Sequence, residues 1–182
     1  MVGPLAQFAA ATDRGAADEI CNAARSLPPE QIRELLRLLS IFLGFPKVLR
    51  ALQCLSLPPE TLDITSTTAS TNGEEFFRQL YGSDADRVLL HLEGLDSLLH
   101  QWVLNHAYGT VLSRPTLSLS TRIRLILLAL AATQCWKQWQ SHYRNAQRHG
   151  IRQSQILDDL ESHNWLTSAD KEKVTAWVQN HG

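Results

Sequence analysis

Cysteine is scarce: Cys21, Cys54 and Cys135 are the only three, widely spaced and odd in number. With no C-x-x-C pair and no zinc-like spacing, no disulfide framework is expected, and a reducing compartment is the default. An excess of one charge is also lacking, since 17 Lys and Arg against 18 Asp and Glu leave a net charge of −1. Interspersed charges without a basic stripe argue against nucleic acid and against a membrane surface as partners. Long hydrophobic runs are missing too. The longest uncharged apolar stretch, Leu125–Trp136, is bracketed by Arg124 and Lys137, and it falls short of the ~18 residues that a membrane span requires. No basic n-region precedes an apolar run near Met1, so no secretory leader is expected and the cytoplasm is the expected location. The sequence contains no G-x-G-x-x-G, P-loop, G-x-S-x-G or H-E-x-x-H, so neither a cofactor nor a metal is expected.

What is present reads as helix. Hydrophobic residues make up 44% of the 182-residue chain, enough for a sizeable core. Leu5–Leu27 is Ala-rich, and Gly15 is expected to divide it into two short helices. Ser26 precedes Pro28-Pro29 as a candidate cap, and Ile32, Leu35, Leu36, Leu39 and Phe42 follow at helical spacing until Gly44. A further helix is expected over Pro46–Leu55. Residues 62–73 are rich in Ser and Thr, have no helical period and read as a linker. Helical patterns resume at Glu74, run over Val88–Leu92 and Leu95–Leu112, and stop at Arg114-Pro115. Ser118 or Ser120 can cap the next helix, Ser120–Trp136, which is apolar almost all round and therefore expected at the centre of a bundle. It continues or kinks into Lys137–His149, and Gln153–His163 and Thr167–Asn180 finish the chain. The expected fold class is all-α, a multi-helix bundle. It divides into a unit of residues 1–61, the linker 62–73 and a core of residues 74–182, which together form one compact domain. Pro29–Leu36 weakly echoes Ser154–Leu160, as either a duplicated helical unit or a chance likeness of amphipathic helices.

Candidate chemistry concentrates near the end of the apolar helix. Cys135, Gln138, Trp139 and His142 fall at i, i+3, i+4 and i+7, one face of a continuous helix. A thiol within reach of an imidazole ionises more readily, and the thiolate is the nucleophile. The competing reading makes Cys135 a small buried hydrophobe and His142 a satisfied polar residue. Gln138 stands where a second, resolving cysteine of a C-x-x-C pair would be. Arg122 is a candidate anion anchor. Arg124 is expected to snorkel or to pair with a carboxylate, Glu93 or Asp96. His100 and His106 share the Leu95–Leu112 helix without metal-ligand spacing.

An ordered series of features resembles the carboxymuconolactone decarboxylase family, which includes the alkylhydroperoxidase D-like proteins. It runs from Tyr108-Gly109 through Arg114-Pro115-x-Leu117-Ser118 to a basic helix start at Arg122. The apolar Leu125–Ala132 follows, then His142 with Ala146 and Gly150, and lastly Ile156. Pro28–Leu55 resembles the family's later segment, which implies a permuted or tandem-derived order. The resemblance implies an alkylhydroperoxidase D-like helical core and a homo-oligomer, for which Phe76–Tyr81 and Trp136–Trp139 carry an apolar surplus. In the peroxidase branch a Glu at the start of the core helix and a C-x-x-C-x-x-x-H run carry the chemistry. Anchored on His142, these positions fall on Ile123, Cys135 and Gln138. The decarboxylase branch keeps the Glu and the His, and here only His142 remains. The expected activity is therefore acid–base chemistry on a small carboxylate, or one-cysteine thiol chemistry at Cys135 and His142. Gln138 belongs to that site, and Trp139, His106 and Arg122 are its expected substrate contacts. The alternative is a non-catalytic protein that keeps the fold to form oligomers or bind a partner.

Overall fold

A computed structural model describes residues 2–60, 72–162 and 164–181. Most of the expected linker, residues 62–71, lies outside the described residues. Eleven α-helices occur among those described. They are α1 (Gly3–Arg14), α2 (Ala17–Ala24), α3 (Pro29–Leu43), α4 (Phe45–Cys54), α5 (Gly73–Tyr81), α6 (Ala85–Leu95), α7 (Ser97–Trp102), α8 (Leu119–Ala132), α9 (Trp136–Arg148), α10 (Gln153–Ser162) and α11 (Ser168–His181). A 3-10 turn, Gly82–Asp84, joins α5 to α6, and a π-helical segment, Val103–Leu112, extends α7. The described residues contain no strand, so the all-α expectation holds.

By contact the chain groups into two compact units, Met1–Leu57 with Thr116–Gly182, and Pro58–Pro115. This grouping differs from a division at 62–73, because the first four helices join the last four. The reason is the character of α8. Its residues Ile123 and Leu125 to Ala131 are all buried, so a helix apolar all round must be enclosed by others. In the first unit α1, α3, α9, α10 and α11 all pack against it. Ser118 caps α8 by accepting from the Thr121 N–H at 3.2 Å, which settles the choice between Ser118 and Ser120. Ser26 does not cap α3; its hydroxyl donates to the Ala23 carbonyl, and Pro28 occupies the cap position. Asp13 ties the chain's early and late helices in this unit. One carboxylate oxygen takes Lys47 Nζ of α4 at 2.5 Å, and the other accepts from the Trp165 indole at 3.0 Å.

The second unit contains α5 to α7 and the π-helical segment. The expected single helix Leu95–Leu112 is broken at Asp96, whose extended backbone and side chain cap α7 by accepting from the Leu99 N–H at 2.6 Å. Beyond Trp102 the turns widen, a change that a 3.6-residue periodicity does not register. Phe77 stacks on Tyr81 at 4.2 Å and meets Tyr108 edge-on at 4.7 Å. The two tyrosine hydroxyls lie 3.1 Å apart, and burial raises the Tyr108 phenol well above its usual pKa. Phe77, Leu80 and Tyr81 are thus used inside the unit. Large apolar side chains stand exposed elsewhere: Leu90 and Leu95 on α6, and Leu98, Leu99 and Trp102 on α7, the last 61% exposed.

Gly73 sits where α5 meets the π-helical backbone. A Cβ there would lie 1.9 Å from the Leu104 carbonyl oxygen and 2.9 Å from the Gly109 nitrogen. Both are main-chain atoms and cannot rotate away, so Gly73→Ala is expected to destabilise this unit by ~1–3 kcal/mol or more. Urea unfolding followed by tyrosine fluorescence checks this, and an unchanged midpoint would refute the close approach.

Candidate functional site

All of the expected site residues except His106 fall in the first unit, on α8, on α9 or in the turn between them. That turn divides them. The apolar helix stops at Ala132, and Gln134 adopts a left-handed conformation with φ 57°, which is costly for a non-glycine residue. The Gln134 amide reaches Asp170 at 3.4 Å. Cys135 therefore precedes α9 as its N-cap residue instead of lying on a continuous helical face, and its half-exposed thiol is 3.6 Å from the Thr133 carbonyl. Gln138 points to solvent, whereas Trp139 and His142 are buried. Trp139 belongs to a three-ring cluster, 5.3 Å from Tyr143 and 5.4 Å from Trp177, so it is not part of an exposed surplus. Trp136 lies beneath Lys173 Nζ, 4.4 Å from its ring centre. His106 is exposed and belongs to the second unit.

The electrostatics favour neutrality. His142 is 6% exposed, and burial lowers its pKa from 6.5 to about 4, so the imidazole is uncharged at neutral pH. Arg122, the expected anion anchor, is 2% exposed and lies 3.1 Å from Glu34 of α3, which is 1% exposed. Arg124 pairs bidentately with Asp159 of α10 at 2.6 Å through both nitrogens, not with Glu93 or Asp96. Asp159 lies on a helix packed against α8, whereas Glu93 and Asp96 belong to the other unit. Between the two arginines Ile123 is completely buried. Among the described residues no three His, Cys, Asp or Glu side chains converge as a metal-binding group.

Residues 98–162 match the model of the carboxymuconolactone decarboxylase family. The match spans 65 of the chain's 182 residues. It covers the last helices of the second unit and α8 to α10 of the first. The chain is also similar to a curated Schizosaccharomyces pombe protein, Peroxisomal protein 2, with 27% identity over 136 residues. That match covers 70% of this chain and 64% of the relative. No solved structure matches. Within the carboxymuconolactone decarboxylase-like segment, the neighbours of Ile123 are arginines neutralised from α3 and α10. Sequence reasoning missed Glu34 and Asp159 as their partners. The available signal was that each carboxylate immediately precedes a buried leucine, Leu35 or Leu160, on an amphipathic helix.

Removing one member of the Arg122–Glu34 pair strands a buried charge. Glu34→Leu or Arg122→Met alone is expected to cost ~3–5 kcal/mol, and the double substitution to recover most of it. A denaturation double-mutant cycle reads the difference, and additive losses would show that the two groups do not interact. His142 supplies a pH signature. Its folded pKa lies below its unfolded value, so the unfolded chain binds the extra proton. Stability is complete above pH 6.5 and falls as the pH drops toward about 4, by up to about 3 kcal/mol. His142→Gln should flatten that part of the profile, and an unchanged slope would show that His142 is not its source.

Proposed function

We propose that this chain is a non-catalytic member of the carboxymuconolactone decarboxylase family that uses its helical fold to assemble with a second copy of itself. The observation that carries this reading is Ile123, fully buried between two ion-paired arginines, at the position where the resemblance implies an acid. An alkyl side chain cannot transfer a proton. Arg122 already spends its charge on Glu34 and is enclosed with it. The exposed leucines of α6 and α7 together with Trp102 supply an assembly surface, since clustered apolar residues on helices are commonly covered between subunits. A reducing interior suits the half-exposed thiols. The cytoplasm is the compartment inferred from the sequence, and the relative's name makes the peroxisome the one to test beside it.

A second reading is acid–base or one-cysteine chemistry on a small carboxylate at Cys135 and His142. It is favoured by the neutral imidazole, which can accept a proton at pH 7, and by the partly accessible thiol at the start of the same helix. Trp139 adds an indole N–H that is buried without an acceptor among the described residues, a donor suited to a carboxylate oxygen.

Light scattering on the purified chain is expected to give an oligomer. Leu99→Asp with Trp102→Asp should give a monomer of unchanged helicity, because both side chains are exposed. A wild-type monomer would overturn the assembly reading. No peroxide consumption that depends on Cys135 or His142 is expected, with or without a dithiol. Turnover that disappears in Cys135→Ser or His142→Ala would establish the second reading instead.

A further inference from the structure

Cys21 and Cys54 lie on different helices of the first unit, and the packing of α2 against α4 brings them together. The Cys21 thiol donates to the Cys54 backbone carbonyl at 3.1 Å. Ordinary covalent lengths on either side of this contact bound the Cα–Cα separation at about 9 Å, and bond angles bring that bound to about 8 Å. A disulfide spans Cα separations of roughly 4.4–6.8 Å. Cys21 lies within α2, whereas Cys54 is the last residue of α4 and is followed by the extended Leu55. A helix end can shift the short remaining distance, and rotation about one side-chain bond turns the Cys54 sulfur. Both thiols are free and half-exposed, so a small oxidant can reach them. Cys135 is engaged elsewhere, beside the Thr133 carbonyl at the start of α9.

We infer that Cys21 and Cys54 are a redox-modification site, a dithiol that closes reversibly into an intramolecular disulfide and latches α2 to the end of α4. The inference stands apart from any role of Cys135 and His142. The oxidant is of the hydroperoxide class. One thiolate attacks a peroxide oxygen, the O–O bond breaks, and the departing alkoxide takes a proton to leave as an alcohol, giving a sulfenic acid. The second thiolate attacks that sulfur, the S–S bond forms, the S–O bond breaks and hydroxide leaves as water after protonation. Two thiols and one hydroperoxide thus give a disulfide, an alcohol and water, with the sulfurs losing the two electrons that the peroxide gains. An external dithiol reverses the step by thiol–disulfide exchange. The closed loop contains the whole of α3, and with it Glu34, the partner of Arg122.

The test titrates the full chain with hydrogen peroxide, tags the remaining thiols with a maleimide polymer and separates the products without reductant. Two of the three thiols should be lost from tagging in the wild type and equally in a Cys135→Ser variant. Neither Cys21→Ser nor Cys54→Ser should form an intramolecular link. Peptide mapping should find the 21–54 cross-link lighter by two hydrogens, and dithiothreitol should remove it. Because the link constrains the unfolded chain, oxidation should raise Tm by roughly 5–10 °C. A cross-link to Cys135, links between chains, over-oxidation without any link, or equal formation in urea-unfolded protein would each overturn the inference.

Discussion

The first unit is organised around the burial of α8, and that burial depends on neutralising the two arginines in its first turns. Arg122 and Arg124 are two positions apart, about 200° around a helix, so they leave α8 on opposite sides. Each meets a carboxylate from another helix, Glu34 of α3 on one side and Asp159 of α10 on the other. The Arg122–Glu34 pair is the more constrained, with both side chains almost entirely removed from water. Desolvating two such charges costs several kcal/mol each, which their attraction repays only in good geometry. A pair of this kind adds little net stability, but it admits few alternative packings. It sets the register of α3 on α8, because a slip of one residue would place an alkyl side chain opposite a buried guanidinium.

The same requirement bears on what the carboxymuconolactone decarboxylase-like segment can do. An acid–base site needs a titratable group in contact with both a reactant and solvent. Here the charges near the start of the core helix are consumed in holding helices together, and Ile123 fills the place between them. His142 keeps its imidazole neutral by being buried, which preserves a lone pair but lowers its basicity. A base with a pKa near 4 drives proton abstraction weakly at neutral pH. Near the start of α8 the charged side chains thus serve helix packing.

Much of this was legible in the sequence. Gly15, Gly44, Gly82 and Gly150 each end a helix with positive φ, and the spacing of Leu35, Leu36 and Leu39 placed α3 correctly. The central position of α8 followed from its lack of a polar face. What escaped was long-range or local in conformation. The left-handed Gln134 separates Cys135 from the face that carries Trp139, and no residue type demands that turn. The π-helical widening after Trp102 leaves an apolar pattern that passes for an ordinary helix. The expected partners of Arg124, Glu93 and Asp96, belong to the other unit, whereas the enclosed helix takes its charge from α10, which packs on it. Cys21 and Cys54 looked remote because sequence spacing does not report that α2 and α4 lie side by side.

The family segment also crosses a boundary in the fold. Residues 98–115 group with the second unit, and the remainder of the match groups with the first. The exposed Leu98, Leu99 and Trp102 open that segment, and the enclosed helices α8 and α9 follow it. Large apolar side chains left in water cost free energy unless covered, at about 25 cal/mol per Å² of apolar surface. The buried part of the segment satisfies this within its own unit, through α1, α3, α10 and α11. The exposed part does not. Leu98, Leu99 and Trp102 are thus the part of the segment whose apolar surface this chain's own packing leaves in water.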